Sequence, residues 1–395
     1  MPDLSSKLST TYNEKLDLVN PSGIRSFDQK ISAIEDIVKL TIGEPDLDTP
    51  EHIKNAAVQS IQNNDSHYSA QTGKLELRKA VSDYLKRQQD LNYNPEDEII
   101  VTIGATEAIY ATFETMLNPG DKVIVPTPTF ALYFPIIELL GAHPIMVDTS
   151  QTGFQLTPEK LEEVIKEEGS AVKAVLLNYP SNPTGVECDK KTVKALADVI
   201  EQHDIFVVTD EIYCELTYGV EHFSIAKLLP EQSIYINGLS KSHAMTGYRI
   251  GYVCGPKEFM SKVTKVHAFM VTSPSNPAQV AATEALNNGD ADALAMRDIY
   301  KKRRDLIVDE LTDMNFEMAK PHGAFYLFAK IPEYCTQDSY EFALALAEKA
   351  KVGVIPGSAF GKGGQGYIRF SYAASEADIQ LAMDRIRDYL QTIHN

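Results

Sequence analysis

The feature that most restricts what this chain can fold into is an alternation that begins near residue 98. Short runs rich in Val, Ile and Leu recur, each followed by a stretch with helical character. Glu98–Ile103 reads as a strand and Ala105–Leu117 as a helix, ended by the turn Asn118-Pro119-Gly120-Asp121. Lys122–Val125 and His143–Val147 are strands on either side of a helix over Ala131–Leu140. Thr157 and Pro158 supply the N-cap and first position of a helix reaching Glu168. The strand Ala174–Leu177, the helix Lys190–His203 and the strand Ile205–Thr209 follow. Further strands fall at Ser233–Ile236 and Ile250–Val253, with a helix across Lys257–Phe269. Strands that are apolar at nearly every position belong in a parallel sheet covered on both faces. The pattern therefore predicts an α/β fold with a three-layer αβα large domain around a mostly parallel sheet.

Beyond about residue 285 the rhythm changes. A long helical region (Thr283–Leu311) leads to Ala324–Lys330, a helix over Tyr340–Ala350, strands at Val352–Ile355 and Tyr367–Ser371, and a final helix Glu376–Ile393. That is a smaller α+β domain. The length of 395 residues suits two or three domains. No repeat or flexible linker separates them. The expected division is a large domain over 46–285 and a small one over 286–395, with the segment 1–45 contributing to the small domain.

Charge narrows the function classes. Lys plus Arg is 37 and Asp plus Glu is 55, a net charge of −18. Phosphate backbones are bound by basic surfaces, so nucleic acid is not the expected partner. No apolar run approaches the ~18 residues of a membrane span, and Met1–Asn20 lacks the apolar stretch of a signal peptide. A cytoplasmic protein is expected. Cys188, Cys214, Cys254 and Cys335 are scattered without a C-x-x-C and read as reduced thiols. The nine histidines lack metal-ligand spacing, and no metal is expected. The run 361–366 matches G-x-G-x-x-G, but it precedes a strand instead of opening a helix, so it reads as a turn.

In open α/β sheets, ligands bind beyond the carboxyl ends of the strands. Five loops lie there. In Ser233–Arg249 (SIYINGLSKSHAMTGYR), Lys241 follows a strand and Arg249 stands eight residues later. A second cation near the lysine disfavours its protonated form and makes the amine nucleophilic, although a lone strand-end lysine is usually a solvated charge. Asn178–Gly185 (NYPSNPTG) is a tight turn that leaves the Asn182 amide free to bind. In Val207–Tyr213 (VVTDEIY), Asp210 is either a strand-end carboxylate seeking a cation or the cap of a following helix. Thr102–Glu107 (TIGATE) is a strand–Gly–helix junction whose free N–H groups suit an anion, with the Thr106 hydroxyl beside them. Pro126–Tyr133 (PTPTFALY) sets Phe130 where a ring could stack on a planar ligand, or simply fill the core. Together these parts suit an aromatic aldehyde phosphate: a lysine for the Schiff base, a carboxylate for a pyridinium and a nest for the phosphate.

The ordered set NPTG, D-E-x-Y and S-K-x-x-x-x-x-G-x-R resembles the class I/II aminotransferases of pyridoxal-phosphate fold type I, over essentially the whole chain. The wording PSGIRSFDQK, IGEPD and NGLSKSHAMTGYRIG is most similar to bacterial aromatic amino acid aminotransferases, with an N-acetyl-diaminopimelate aminotransferase type close by. The resemblance implies pyridoxal 5'-phosphate as cofactor, with Lys241 as its Schiff-base lysine and proton shuttle. It implies Asp210 on the pyridine nitrogen, Asn182 and Tyr213 on the phenolic oxygen, and Phe130 against the ring. The phosphate would rest on the N–H groups of Ala105 and Thr106, the Ser240 hydroxyl and Arg249. Tyr68, in HYSAQTG, would reach the phosphate of a neighbouring subunit, which implies a homodimer with shared sites. Arg369, in YIRFSYA, would grip the substrate α-carboxylate, and Gly43 would let backbone approach the substrate.

The sequence also departs from the pattern. Gly238 stands where several branches carry a phosphate-binding Ser, which shifts that contact toward Ser240, and Tyr248 replaces a common Trp. No arginine matches the one that binds a side-chain carboxylate in aspartate-specific members. The expected reaction is ping-pong transfer of an amino group from an L-amino acid, aromatic by preference, to a 2-oxo acid such as 2-oxoglutarate. The alternatives are an N-acetyl-diaminopimelate aminotransferase and a pyridoxal-phosphate-dependent C–S β-lyase. A transcription regulator with an aminotransferase-like domain is not expected, because the motifs begin by Gly43 and the charge has the wrong sign for DNA.

Overall fold

The computed structural model describes residues 3–8 and 11–394. Met1, Pro2, Ser9, Thr10 and Asn395 lie outside the described residues, and with them parts of the two terminal segments and of the stretch read as lacking a signal peptide.

A seven-stranded sheet forms the centre. Its spatial order is Ile99–Thr102, Gly251–Cys254, Ser233–Gly238, Phe206–Asp210, Val172–Asn178, Lys122–Thr127 and His143–Asp148. Gly251–Cys254 runs antiparallel to both neighbours, and the other six strands run one way. Successive side chains of a strand face opposite sides of a sheet. Val123 and Val125 accordingly pack with Ile109, Phe113 and Val263 of the helices Gly104–Met116 and Lys257–Val271. Ile124 packs the other way, against Leu161 and Leu196 of Pro158–Glu168 and Lys190–Ile200. Each such fully buried side chain contributes about 1.5–3 kcal/mol of transfer free energy, which is why both faces of the sheet are covered. A further layer joins the helices Glu51–Gln62, Leu75–Gln89 and Asn276–Asn288 through Ile53, Leu77, Val81, Ala281 and Ala285.

The C-terminal part builds its own antiparallel sheet in the order Ile355–Pro356, Tyr367–Ser371, Tyr326–Lys330 and Glu317–Met318. Val38–Lys39 pairs in parallel with Val352–Gly353. Phe27, Ile31 and Leu40 share one apolar cluster with Phe328, Leu346, Ile368 and Ile386.

Four readings of the sequence need correction. The single helix expected over Thr283–Leu311 is two, Asn276–Asn288 and Asp290–Asp313. They meet at Gly289, where a Cβ would lie 2.5 Å from the Ala285 carbonyl oxygen. The strand expected over Val352–Ile355 is split between two sheets, because Val352 pairs with Val38 whereas Ile355 pairs with Arg369. The helix expected to run to Ala350 widens into a π-turn over Leu346–Ala350. No helix follows Asp210. A turn occupies 212–215, and Asp210 Oδ1 accepts the Ile212 N–H at 3.2 Å, so the carboxylate closes a turn and caps nothing. Residues 361–366 lie between a 3-10 turn (Gly357–Phe360) and the strand Tyr367–Ser371. Among the described residues no helix is long and apolar enough to cross a membrane, and no cluster of His, Cys, Asp and Glu suits a metal ion.

Candidate active site

Six parallel strands deliver their carboxyl ends to one edge of the sheet, and the marked loops converge there. Asp210 ends one strand, and its register partner on the next is Asn178. Asp210 is buried, with Oδ2 accepting the Tyr133 hydroxyl at 2.8 Å. Burial pushes its pKa up to about 6, against the lowering effect of Tyr133, the Ile212 N–H and Lys241. A carboxylate so placed is short of a cation.

Lys241 follows the strand Ser233–Gly238 and reaches back to the N-terminal segment, where Nζ donates to the Gly43 carbonyl at 2.5 Å. Its ammonium stands 5.8 Å from the Tyr213 ring centre and 5.7 Å from that of Phe325. The pKa of Lys241 is lowered to about 8. Burial is the first cause; Glu44 and Asp210 oppose it, and Arg249 and Arg369 add to it. The neighbouring cation alone therefore explains less of the activation than the sequence suggested.

The helix Gly104–Met116 opens at the same edge, one residue earlier than the Ala105 start expected from the sequence and without a side-chain cap. Instead Glu107 reaches back to accept the Ile103 N–H at 2.5 Å. Uncapped first-turn N–H groups, including those of Ala105 and Thr106, leave partial positive charge for an anion. Gly104 has φ +72°, and a Cβ there would meet Arg249 Nη2 at 2.5 Å. The guanidinium thus lies across the helix start. Arg249 Nη1 donates to the Thr246 carbonyl at 2.9 Å, and no carboxylate among the described residues pairs with it. Ser240 is buried beside Lys241.

Arg369 is 2% exposed. Its Nη1 donates to Asn182 Oδ1 at 2.9 Å and its Nη2 to the Thr41 carbonyl at 2.8 Å, whereas Nε has no partner. The guanidinium plane lies against the rings of Tyr326 (4.4 Å) and Phe360 (4.9 Å). Burial lowers its pKa, and Tyr326 and Tyr213 counter this. A buried guanidinium without a carboxylate calls for an anionic ligand.

The remaining marked residues fall into place around these. The Tyr213 and Tyr326 hydroxyls share a hydrogen bond of 2.9 Å, and Tyr326 Oη would lie 3.0 Å from a Cβ on Gly43. Phe130 is half-buried with its ring edge-to-face on Tyr133 at 5.8 Å. Tyr68 is 87% exposed. A surface cavity of about 680 Å³ opens where Arg249 meets Thr49, Ala57, Ser275 and Ala278, and Lys241 does not line it.

Sequence reasoning overlooked Tyr133, Asn178, Tyr326 and Phe360. Tyr133 and Asn178 lie inside motifs already marked and were legible as strand-end neighbours. Tyr326 and Phe360 belong to the other lobe, and no local signal ties them to Lys241.

The donor set fits pyridoxal phosphate. An uncapped helix start beneath an unpaired guanidinium suits the phosphate, a buried carboxylate the ring nitrogen, and an amine with a lowered pKa the aldehyde. Arg369 Nε is left over for a substrate carboxylate.

Comparison with known proteins agrees. The family model for aminotransferase class I and II matches residues 35–386. The probable N-acetyl-LL-diaminopimelate aminotransferase of Bacillus subtilis (strain 168) is 45% identical over 390 residues, covering 97% of this chain and 98% of its own. The aspartate aminotransferase from Thermus thermophilus, solved with maleate, superposes with a TM-score of 0.90 at 36% identity, over 95% of this chain and 98% of that one. The aromatic aminotransferase from Pyrococcus horikoshii OT3 superposes at 0.89 and 35% identity, over 96% and 98%. The chain belongs to the class I and II aminotransferases, the pyridoxal-phosphate enzymes of fold type I, and is a transaminase.

Proposed function

We propose that this enzyme moves the amino group of an L-amino acid, aromatic by preference, to a 2-oxo acid such as 2-oxoglutarate, the two substrates taking turns at one site. The carrying observation is Arg369, buried, aromatic-flanked and without a carboxylate of its own. Bound pyridoxal phosphate supplies an electron sink for the substrate α-carbon. Ala105, Thr106, Ser240 and Arg249 hold its phosphate, Asp210 its ring nitrogen, Asn182 and Tyr213 its phenolic oxygen, and Phe130 one ring face. Arg369 orients the α-carboxylate near Gly43. Lys241 Nζ, whose pKa is lowered to about 8, takes the α-proton and returns it, because an amine near neutrality in pKa both accepts and gives a proton readily.

Tyr68, 87% exposed, reaches the phosphate of a second copy, so the working unit is a homodimer with shared sites. The large domain over 46–285 carries the cofactor. The small domain over 286–395 recruits the segment 1–45, as the pairing of Val38 with Val352 supports. All four cysteines are free, which suits a reducing cytoplasm.

The 45% identity to the Bacillus protein favours a second reading, in which the donor is an N-acetyl-diaminopimelate. Mixing the pyridoxal-phosphate form with single amino acids and following conversion to the pyridoxamine form separates these readings. Fastest conversion by phenylalanine or tyrosine supports the first, and by N-acetyl-diaminopimelate the second. Release of pyruvate and ammonia from cystathionine, without amino exchange, would replace both with a C–S lyase.

A further inference from the structure

One buried amide joins the two halves of the site. Asn178 ends its strand opposite Asp210 and is 8% exposed. Its Nδ2 donates to the Asp210 carbonyl at 3.0 Å, and its Oδ1 accepts the Asn182 N–H at 3.1 Å. Both contacts demand the same orientation of the amide, because a flipped group would face donor with donor and acceptor with acceptor. Asn182 Oδ1 in turn accepts Arg369 Nη1, and Arg369 Nη2 ends the line on the Thr41 carbonyl. The sequence from Asp210 through Asn178 and Asn182 to Arg369 therefore crosses from the central sheet to the strand Tyr367–Ser371 of the other lobe.

We propose that Asn178 is a positioning residue that sets the distance and angle between the group holding the cofactor ring and the group holding the substrate carboxylate. It touches neither ligand. A Schiff-base site must present the α-carbon in a narrow geometry, and a misplacement of about 1 Å can cost a hundredfold in rate. Two loops that each carry a binding residue drift independently unless something fixes one on the other. Asn178 is the side chain with a hydrogen bond to each. Backbone alone does not do this, since the strand pairing ends at Asn178 and Asp210 and the Asn182 loop lies beyond it.

This inference rests on the proposed roles of Asp210, Asn182 and Arg369. The test compares Asn178→Ala and Asn178→Asp with the wild-type holoenzyme, using maleate as an unreactive dicarboxylate and pyridoxal phosphate as the second probe. Asn178→Ala frees the Asn182 loop, and maleate binding and substrate KM should weaken about tenfold, the scale of a buried hydrogen bond left unmade. Asn178→Asp keeps the acceptor for Asn182 and loses the donor to Asp210. It should retain most maleate affinity but release pyridoxal phosphate faster, and the pH at which the bound cofactor's absorbance changes should move. A lowered Tm with maleate affinity, KM and spectral midpoint unchanged in both variants would overturn the proposal and leave Asn178 merely structural. Should Asn178→Ala fail to fold, Asn178→Asp decides by the same readouts. Failure of the wild-type enzyme itself to bind either probe would instead overturn the functional reading beneath it.

Discussion

Arg369 Nη1 and Asn182 Oδ1 are hydrogen-bonded at 2.9 Å across 187 residues of chain. The bond is made between the antiparallel sheet of one lobe and a loop at the edge of the central sheet of the other. It leaves Nε as the free edge of a buried guanidinium. Under the proposed function, a substrate carboxylate on that edge would complete contacts contributed by both lobes and so couple binding to lobe placement.

Arg369→Lys keeps the charge and discards the planar fork. The ammonium cannot hold Asn182, Thr41 and a carboxylate together. KM for amino and oxo acids is expected to rise by about ten- to a hundredfold, consistent with loss of roughly 1.5–3 kcal/mol in a charge-assisted hydrogen bond. Steady-state kinetics with both substrates check this.

Lys241→Ala should purify without the absorbance band of lysine-bound pyridoxal phosphate and lose transamination by roughly a thousandfold or more, the upper range for a lost acid–base group. A variant that transaminates normally would remove Lys241 from the mechanism.

Gly104→Ala tests the phosphate cradle. The new methyl has to occupy φ +72° and meets Arg249 Nη2 at 2.5 Å, so the guanidinium must move aside. Pyridoxal phosphate affinity, read by spectroscopic titration, should fall about tenfold or more, as expected for a lost charged contact. The fold should survive at a cost of about 1 kcal/mol for the left-handed backbone.

The lowered pKa of Lys241 sets a pH dependence in protein stripped of cofactor. Burial, the leading cause, brings it to about 8 from the ordinary 10.5. The folded chain releases this proton above about pH 8, whereas the unfolded chain keeps it to about 10.5. Unfolding therefore takes up a proton between those values, and stability rises with pH through that window. Thermal denaturation at pH 7.5 and 9.5 should show the rise, and Lys241→Met should flatten it.

His222 lies buried between Glu187 (3.3 Å) and Glu211 (2.7 Å), and Glu211 directly follows Asp210. Burial lowers the imidazole pKa, but the two carboxylates outweigh it and hold the pKa well above 6.5. The ion pairs stabilise the fold fully below pH 6.5 and lose that effect as pH rises through the raised value. His222→Leu strands both carboxylates and should cost about 3–5 kcal/mol. A denaturant titration at pH 6 measures it.

Much of the central sheet was legible because its signal is local. Val172–Asn178 and Phe206–Asp210 are apolar runs closed by polar residues, and any strand buried on both faces must look like that. The loops after them were readable for the same reason, since a polar residue at a buried strand end needs a partner. Boundaries failed where tertiary packing overrode local pattern. Gly289 divides one apparent helix, at a place where a Cβ would meet the Ala285 carbonyl and the His243 ring. Val352 and Ile355 look like one strand, yet each answers to a different neighbour.

By itself the sequence determined the alternating sheet-and-helix architecture, the acidic surface charge and the identity of the chemical groups, because each depends on side chains close together in the chain. Only the tertiary structure decided that burial more than a neighbouring cation lowers the pKa of Lys241. It also brought Tyr326 and Phe360 to Arg369 and set Asn178 between Asp210 and Asn182. Desolvation and stacking depend on atoms from distant segments arriving in one place, and no stretch of sequence carries that information alone.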